Sequence, residues 1–191
     1  MNFLTDFADQ AVVLPFALVV AVALAMAGWW RGTLAWAVAV GGVFGIILVL
    51  KVVFVACAAR LDSSGIVSPS GHTASACVVY GGLAVLLLRG RIPHYLTMLL
   101  PLGIAAVFGV SRLVLHVHTL GDVVVGTMIG MAGAAVLARL AGPRPMLRAW
   151  PLGIAAVTVV VVFHGLRMPA EAAIHRVALS GWLPFLAACR A

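Results

Sequence analysis

The stretch Ser111-Arg112-Leu113-Val114-Leu115-His116-Val117-His118-Thr119-Leu120-Gly121-Asp122 sets an arginine, two histidines and an aspartate between long apolar runs. Polar groups among such runs are costly unless they have partners and work to do. His118 and Asp122 are four residues apart, so on a helix they share a face. A carboxylate placed there holds one ring nitrogen of His118 and leaves the other free to attack. Arg112 carries a planar fork that matches phosphate oxygens.

A second polar cluster, Ser68-Pro69-Ser70-Gly71-His72-Thr73, opens another apolar run. Pro, Ser and Gly ahead of such a run signal a helix start. The free amides of that N-terminus form an anion site, with His72 at its mouth.

The composition around these clusters is that of a membrane protein. Of 191 residues, 64% are hydrophobic and 9% charged, and the mean hydropathy is +1.20. We expect an all-α integral membrane bundle forming one domain, residues 1–191, with about six transmembrane helices. The apolar runs place them near 11–30, 33–55, 73–88, 95–110, 121–140 and 150–164. The third is short for a full span, as expected if its N-terminus is sunk below the membrane surface. Gly41 with Gly45, and Gly126 with Gly130, are Gly-x-x-x-Gly pairs that read as helix-packing contacts. Pro-Leu-Gly-Ile-Ala-Ala-Val occurs at both 101–107 and 151–157, and shared packing chemistry or coincidence accounts for it. Trp29 and Trp30 read as an interfacial belt. The tail from Leu166 carries Arg167, Glu171, His175 and Arg176, then an apolar piece too short to span, which is expected to lie in the interface or fold back.

The formal charge is +7, but its basic residues are scattered between apolar runs, so no nucleic-acid partner is expected. Residues 1–10 carry Asp6 and Asp9 and no basic residue, unlike a cleaved secretory signal. Cys57, Cys77 and Cys189 have no metal-ligand spacing, and their odd number gives no disulfide framework; all three read as small apolar helix residues. The acids besides Asp122 are Asp6, Asp9, Asp62 and Glu171, which form no cluster in sequence, so neither a metal nor a cofactor is expected. Among the other histidines, His116 and His164 read as helix-packing hydrogen bonders, His94 as a solvated loop residue and His175 as interfacial.

Alternate loops differ in basic content. Arg31, then Arg89 and Arg91, then Arg139, Arg144 and Arg148 lie in one set. The other set holds only candidate site residues, Lys51, Arg60 and Arg112. By the positive-inside rule the first set is cytoplasmic. The two polar clusters then face the exterior or periplasm, from a multi-pass protein of the plasma (inner) membrane.

Pro69, Ser70, Gly71 and His72, with Ser111, Arg112, His118 and Asp122, resemble the second and third signatures of the type-2 phosphatidic acid phosphatase family. The second signature is Pro-Ser-Gly-His. The third is Ser-Arg, five residues, His, three residues, Asp. The resemblance covers about residues 51–140. The first signature, Lys, six residues, Arg-Pro, departs here: Lys51 is followed by Arg60 after eight residues, and Leu61 stands in place of Pro. A nine-residue step on an unbroken helix lands on the opposite face, so either the helix ends between Lys51 and Arg60 or one of them is not a phosphate ligand.

The resemblance implies metal-free hydrolysis of a lipid phosphate at the outer membrane surface. His118 would attack phosphorus and become a phosphohistidine, with Asp122 orienting it. His72 would protonate the leaving oxygen and then activate water. Lys51, Arg60, Ser70, Gly71 and Arg112 would hold the phosphoryl oxygens, and Ser111 would buttress Arg112. Phosphoryl transfer relies mainly on positioning and on cations at the equatorial oxygens, which a fixed set of Lys and Arg supplies. Partners would be membrane lipids and a lipid phosphate substrate. A prenyl diphosphate such as undecaprenyl diphosphate, phosphatidic acid, phosphatidylglycerol phosphate and lipid A phosphates all qualify; the small loops favour the simpler of these. The alternative within this chemistry is a phosphotransferase that passes the group to an acceptor lipid. Soluble vanadium haloperoxidases of the same superfamily share the pocket but not the apolar composition. The non-enzyme alternative is a small channel or transporter whose charges line a pore.

Overall fold

The structure, a computed structural model, describes residues 2–58, 66–143, 145 and 149–180. Among these it is an all-α bundle: α1 (Asn2–Asp6), α2 (Gln10–Met26), α3 (Trp30–Ala56), α4 (Gly71–Leu88), α5 (His94–Val114), α6 (Leu120–Leu140), α7 (Ala149–Phe163) and α8 (Ala170–Leu179). Helices α3, α4, α5 and α6 are each long and apolar enough to cross a membrane, and α2 and α7 are shorter apolar helices. The six expected spans are thus present as six helices, with ends moved by a few residues.

Leu18, Val38, Val49, Leu99, Met128 and Val161 point outward, so the bundle's surface is as apolar as its interior. Side chains facing lipid gain nothing by turning inward, and close packing of small residues must hold such helices together. Helix α6 shows this. It packs on α3, α4 and α5. A Cβ on Gly130 would lie 2.6 Å from the Cβ of Cys77, and one on Gly133 would lie 2.4 Å from Val43. The pair Gly126 and Gly130 therefore packs as its spacing predicts.

The pair Gly41 and Gly45 does not. Both are exposed, and no atom lies within 4 Å of a Cβ built at either. Spacing alone reports that a close approach is permitted, not that a neighbour is there.

Helix α4 contains a π-helical segment, Cys77–Gly81, where it crosses α5. A Cβ on Gly81 would come within 2.4 Å of Pro101 Cα, so glycine is required at this crossing. The first copy of the repeated heptapeptide is thus a packing element.

At one end of the bundle, side chains satisfy the last carbonyls of α6. Trp29 Nε1 donates to Ala141 O at 2.9 Å, Arg31 Nε donates to Leu140 O at 3.0 Å, and Arg89 donates to Ala138 O. Cations at a helix C-terminus are also favoured by the helix dipole. Trp29 is accordingly buried and is not part of an interfacial belt; Trp30 is exposed. The N-terminus of α6 lies a helix length away, about 30 Å for 21 residues. Arg31 and Arg89 therefore sit at the end opposite His118 and Asp122, which is the partition expected from the loops.

The tail is described as far as Ser180 and forms a helix there; the rest of its apolar piece, from Gly181 on, lies outside the described residues. Helix α8 packs along α3. Its approach is pinned by Arg167 on Asp6 (3.1 Å) and by the Met168 amide on Asp9 Oδ1 (3.1 Å). Cys57, at the end of α3, is disulfide-bonded, contrary to the sequence expectation, whereas Cys77 is a buried free thiol. The odd cysteine count had argued against any such bond.

Candidate active site

Asp122 joins the two polar clusters. It is 1% exposed and sits in the first turn of α6, where Thr119 and Asp122 form a capping box. The Thr119 hydroxyl accepts from the Asp122 amide at 3.2 Å, and Asp122 Oδ2 accepts from the Thr119 amide at 3.0 Å. The same Oδ2 faces His118 Nδ1 at 3.4 Å, long for a hydrogen bond. Asp122 Oδ1 accepts from the amides of Val67 and Ser68 at 3.0 and 2.8 Å. The Asp122 carbonyl accepts from the Ser70 amide at 3.0 Å. One aspartate therefore faces the His118 ring, caps a helix and anchors the segment that leads into Pro69–His72.

Ser70 is the N-cap of α4. Its hydroxyl accepts weakly from the Thr73 amide and pairs with the Thr73 hydroxyl at 2.9 Å. Gly126 is what lets α6 approach this turn: a Cβ there would lie 2.5 Å from the Ser70 carbonyl oxygen. His72, in the first turn of α4, stands within electrostatic range of Arg112, His118 and Lys51.

Lys51 reaches the site from α3. It is 3% exposed, and its ammonium donates to Ser68 Oγ at 3.3 Å and to Glu171 Oε1 at 2.5 Å. A Cβ on Gly71 would lie 3.3 Å from Lys51 Cε, so the lysine stem lies across the N-terminus of α4. Helix α3 ends at Ala56, so the helix does end between Lys51 and Arg60, as one of the two sequence alternatives required. Arg60 itself lies outside the described residues, as does Asp62. Arg112, in the last turn of α5, has a buried Nε with no hydrogen-bond partner among the described residues. Ser111 donates to the Phe108 carbonyl at 2.6 Å and is fully buried, which fits a supporting role beside Arg112.

His118 lies in the turn between α5 and α6. Burial, then the positive charges of Lys51 and Arg112, hold its imidazole below the ordinary histidine range; the hydrogen bond and charge of Asp122 oppose them. His116 is a correction. It is exposed in that same turn with φ of +53°, a left-handed conformation in which histidine is several-fold enriched, and its side chain makes no helix-packing hydrogen bond among the described residues. His164 does make the expected packing contact, bonding the Phe3 carbonyl at 3.1 Å between the rings of Phe3 and Phe7. His94 and His175 are exposed.

The structure therefore brings Lys51, Ser70, Gly71, His72, Arg112, His118 and Asp122 to one end of the bundle. Sequence reasoning missed Glu171, whose partner is 120 residues away and whose role no local pattern signals. Burial alone would raise its carboxyl, but the hydrogen bond and charge of Lys51, aided by His118 and His72, hold it below the usual range. The Thr119–Asp122 capping box was readable from its spacing.

Set against known proteins, the chain matches one family model over residues 16–145, a wider span than the motifs alone delimit; that model is described as the PAP2 superfamily. No curated protein and no solved structure matches it.

Proposed function

Since the chain belongs to the PAP2 superfamily, which indicates phosphatase-type activity, we propose that it hydrolyses a lipid phosphate through a phosphohistidine on His118. The observation that carries this reading is the Asp122 carboxylate, which links the His118 ring to the amides leading into Ser70 and His72.

The steps are those that the family resemblance implies, placed on these residues. Asp122 takes the Nδ1 side of His118 and leaves Nε2 as the lone-pair nitrogen that attacks phosphorus. As the N–P bond forms, the bond from phosphorus to the leaving oxygen breaks, and His72 gives that oxygen a proton. Water then attacks the phosphohistidine, His72 takes its proton, and the N–P bond breaks to regenerate His118. Lys51, Arg112 and the first amides of α4 hold the equatorial oxygens, where the transition-state charge is spread. The Nε of Arg112, without a hydrogen-bond partner among the described residues, supports that assignment.

Among the described residues, the buried charged side chains Lys51 and Asp122 lie with Arg112 and His118 at one end, Arg31 and Arg89 hold the other, and no line of charges joins the two. That distribution favours an interfacial catalytic site over a channel. Cys57 in a disulfide supports an oxidising environment at this end, and hence a site facing the exterior or periplasm, in agreement with the arginine partition. An amphiphilic substrate follows from a polar site at the edge of an apolar bundle. Prenyl diphosphates and simple phospholipid phosphates fit this best.

The test is phosphate release by purified protein from undecaprenyl diphosphate, phosphatidic acid and phosphatidylglycerol phosphate, with and without an acceptor lipid. Free phosphate in the absence of acceptor supports hydrolysis. Turnover only with acceptor, with phosphate appearing on that lipid, makes the protein a phosphotransferase using the same intermediate. No reaction with any lipid phosphate removes the proposal.

A further inference from the structure

Helix α8 lies beyond the matched family region and builds an extension of the site. Between α2, α3 and α8 runs a groove of about 510 Å³. Leu14, Phe44, Leu48, Met168 and Ile174 line it. Its charged residues are Lys51 and Glu171, which are paired with each other. The groove thus has an apolar body and a single ionic end, and at that end Lys51 also touches Ser68 and lies across Gly71.

Gly45 lines this groove. Glycine inside a helix weakens it, and this one packs against nothing, since no atom lies within 4 Å of a Cβ built there. An open groove wall gives the glycine a reason that packing does not.

Glu171 places a carboxylate where an anionic headgroup would meet Lys51. The Lys51 side chain is 4% exposed and that of Glu171 is 59% exposed. A buried ammonium needs an anion. The glutamate supplies one, and its exposed side chain rotates away without disturbing the bundle.

We propose that this groove seats the hydrocarbon chain of a lipid phosphate, and that Glu171 holds the place of the phosphate on Lys51 until the lipid displaces it. The proposal rests on the lipid-phosphate reading and adds to it the seat of the chain and a resident competitor. Displacement makes the apparent affinity for any phosphate equal to the intrinsic one reduced by the fraction of sites with Lys51 free.

The test uses phosphonates, which bind like phosphates and resist hydrolysis, so its outcome is independent of turnover. Hexadecylphosphonate carries a chain and methylphosphonate does not. Binding of each to the full-length protein in detergent is measured by calorimetry. Glu171→Gln is expected to tighten both ligands about three- to tenfold, corresponding to a competent fraction of roughly 0.1–0.3 in the parent protein. Gly45→Phe, and Gly45→Leu as a smaller filler, are expected to weaken hexadecylphosphonate by about tenfold or more and to leave methylphosphonate unchanged, as filling an apolar seat requires. Equal or weaker binding by Glu171→Gln overturns the displacement. Unchanged hexadecylphosphonate binding by both Gly45 variants, or failure of the parent protein to bind it, overturns the seat. If the phosphonates behave as expected while no lipid phosphate is hydrolysed, the binding proposal stands and the hydrolytic reading fails.

Discussion

Replacing Asp122 by Asn changes one oxygen into a donor and nothing else in size, and the hydrogen bonds around it set the consequence. The carboxylate faces donors on both sides: the Val67 and Ser68 amides at Oδ1, and the Thr119 amide with His118 Nδ1 at Oδ2. An asparagine that keeps its carbonyl toward Val67 and Ser68 turns its NH2 toward Thr119 and His118. The part-buried Thr119 amide then loses this bond, at a cost of about 0.5–1.5 kcal/mol in stability. His118 must accept at Nδ1, so its proton moves to Nε2 and the attacking lone pair is lost. By analogy with other histidine–carboxylate pairs this lowers kcat about 10⁴-fold, or about 5.5 kcal/mol in barrier. The opposite orientation of the amide preserves the tautomer but takes the acceptor from two part-buried loop amides, a stability loss of about 1–3 kcal/mol for the pair. The assay pairs initial-rate phosphate release with thermal unfolding of the same preparation. An Asp122→Asn protein with kcat within tenfold of the parent and unchanged stability would refute the assigned role of the carboxylate.

Other expectations concern packing, pH and topology. Gly126→Ala forces a methyl against the Ser70 carbonyl; it should destabilise the protein by about 1–3 kcal/mol and lower activity, read by thermal unfolding and phosphate release, whereas Gly41→Ala should leave activity unchanged and raise stability by up to about 1 kcal/mol. His118 attacks only when neutral, and its depressed pKa keeps it neutral to lower pH, so the acid limb of kcat/KM should fall below about 6.5. Lys51→Met removes a charge that depresses it, and the acid limb should move to higher pH. A cysteine placed at Gly90 should resist labelling from outside intact cells, while one at Val67 should react; the reverse pattern would invert the proposed orientation.

The six apolar helices were legible because lipid-facing and buried residues alike are apolar over helix-length runs. The site was legible where its residues are close in sequence, as in His118 with Asp122 and Ser70 with His72. What sequence withheld were contacts between distant segments. The amides of Val67 and Ser68 on Asp122, and Glu171 on Lys51, join residues 54 to 120 positions apart. Gly41–Gly45 and Gly126–Gly130 share a spacing, yet the first pair meets no neighbour while the second packs against Ser70 and α4, because spacing does not specify a neighbour. Trp29 failed as a belt residue for a related reason: its indole meets the end of α6, which is remote in sequence.

The central claim is that His118 carries the phosphoryl group, and trapping that group tests it most directly. The measurement is base-quenched labelling of His72→Ala and His118→Ala proteins with a radiolabelled aryl phosphate, whose leaving group needs no proton. His72→Ala should accumulate acid-labile, base-stable phosphate, because attack survives and hydrolysis is slowed. His118→Ala should carry none. Acid-labile phosphate on the His118→Ala protein would contradict the account and place the nucleophile elsewhere.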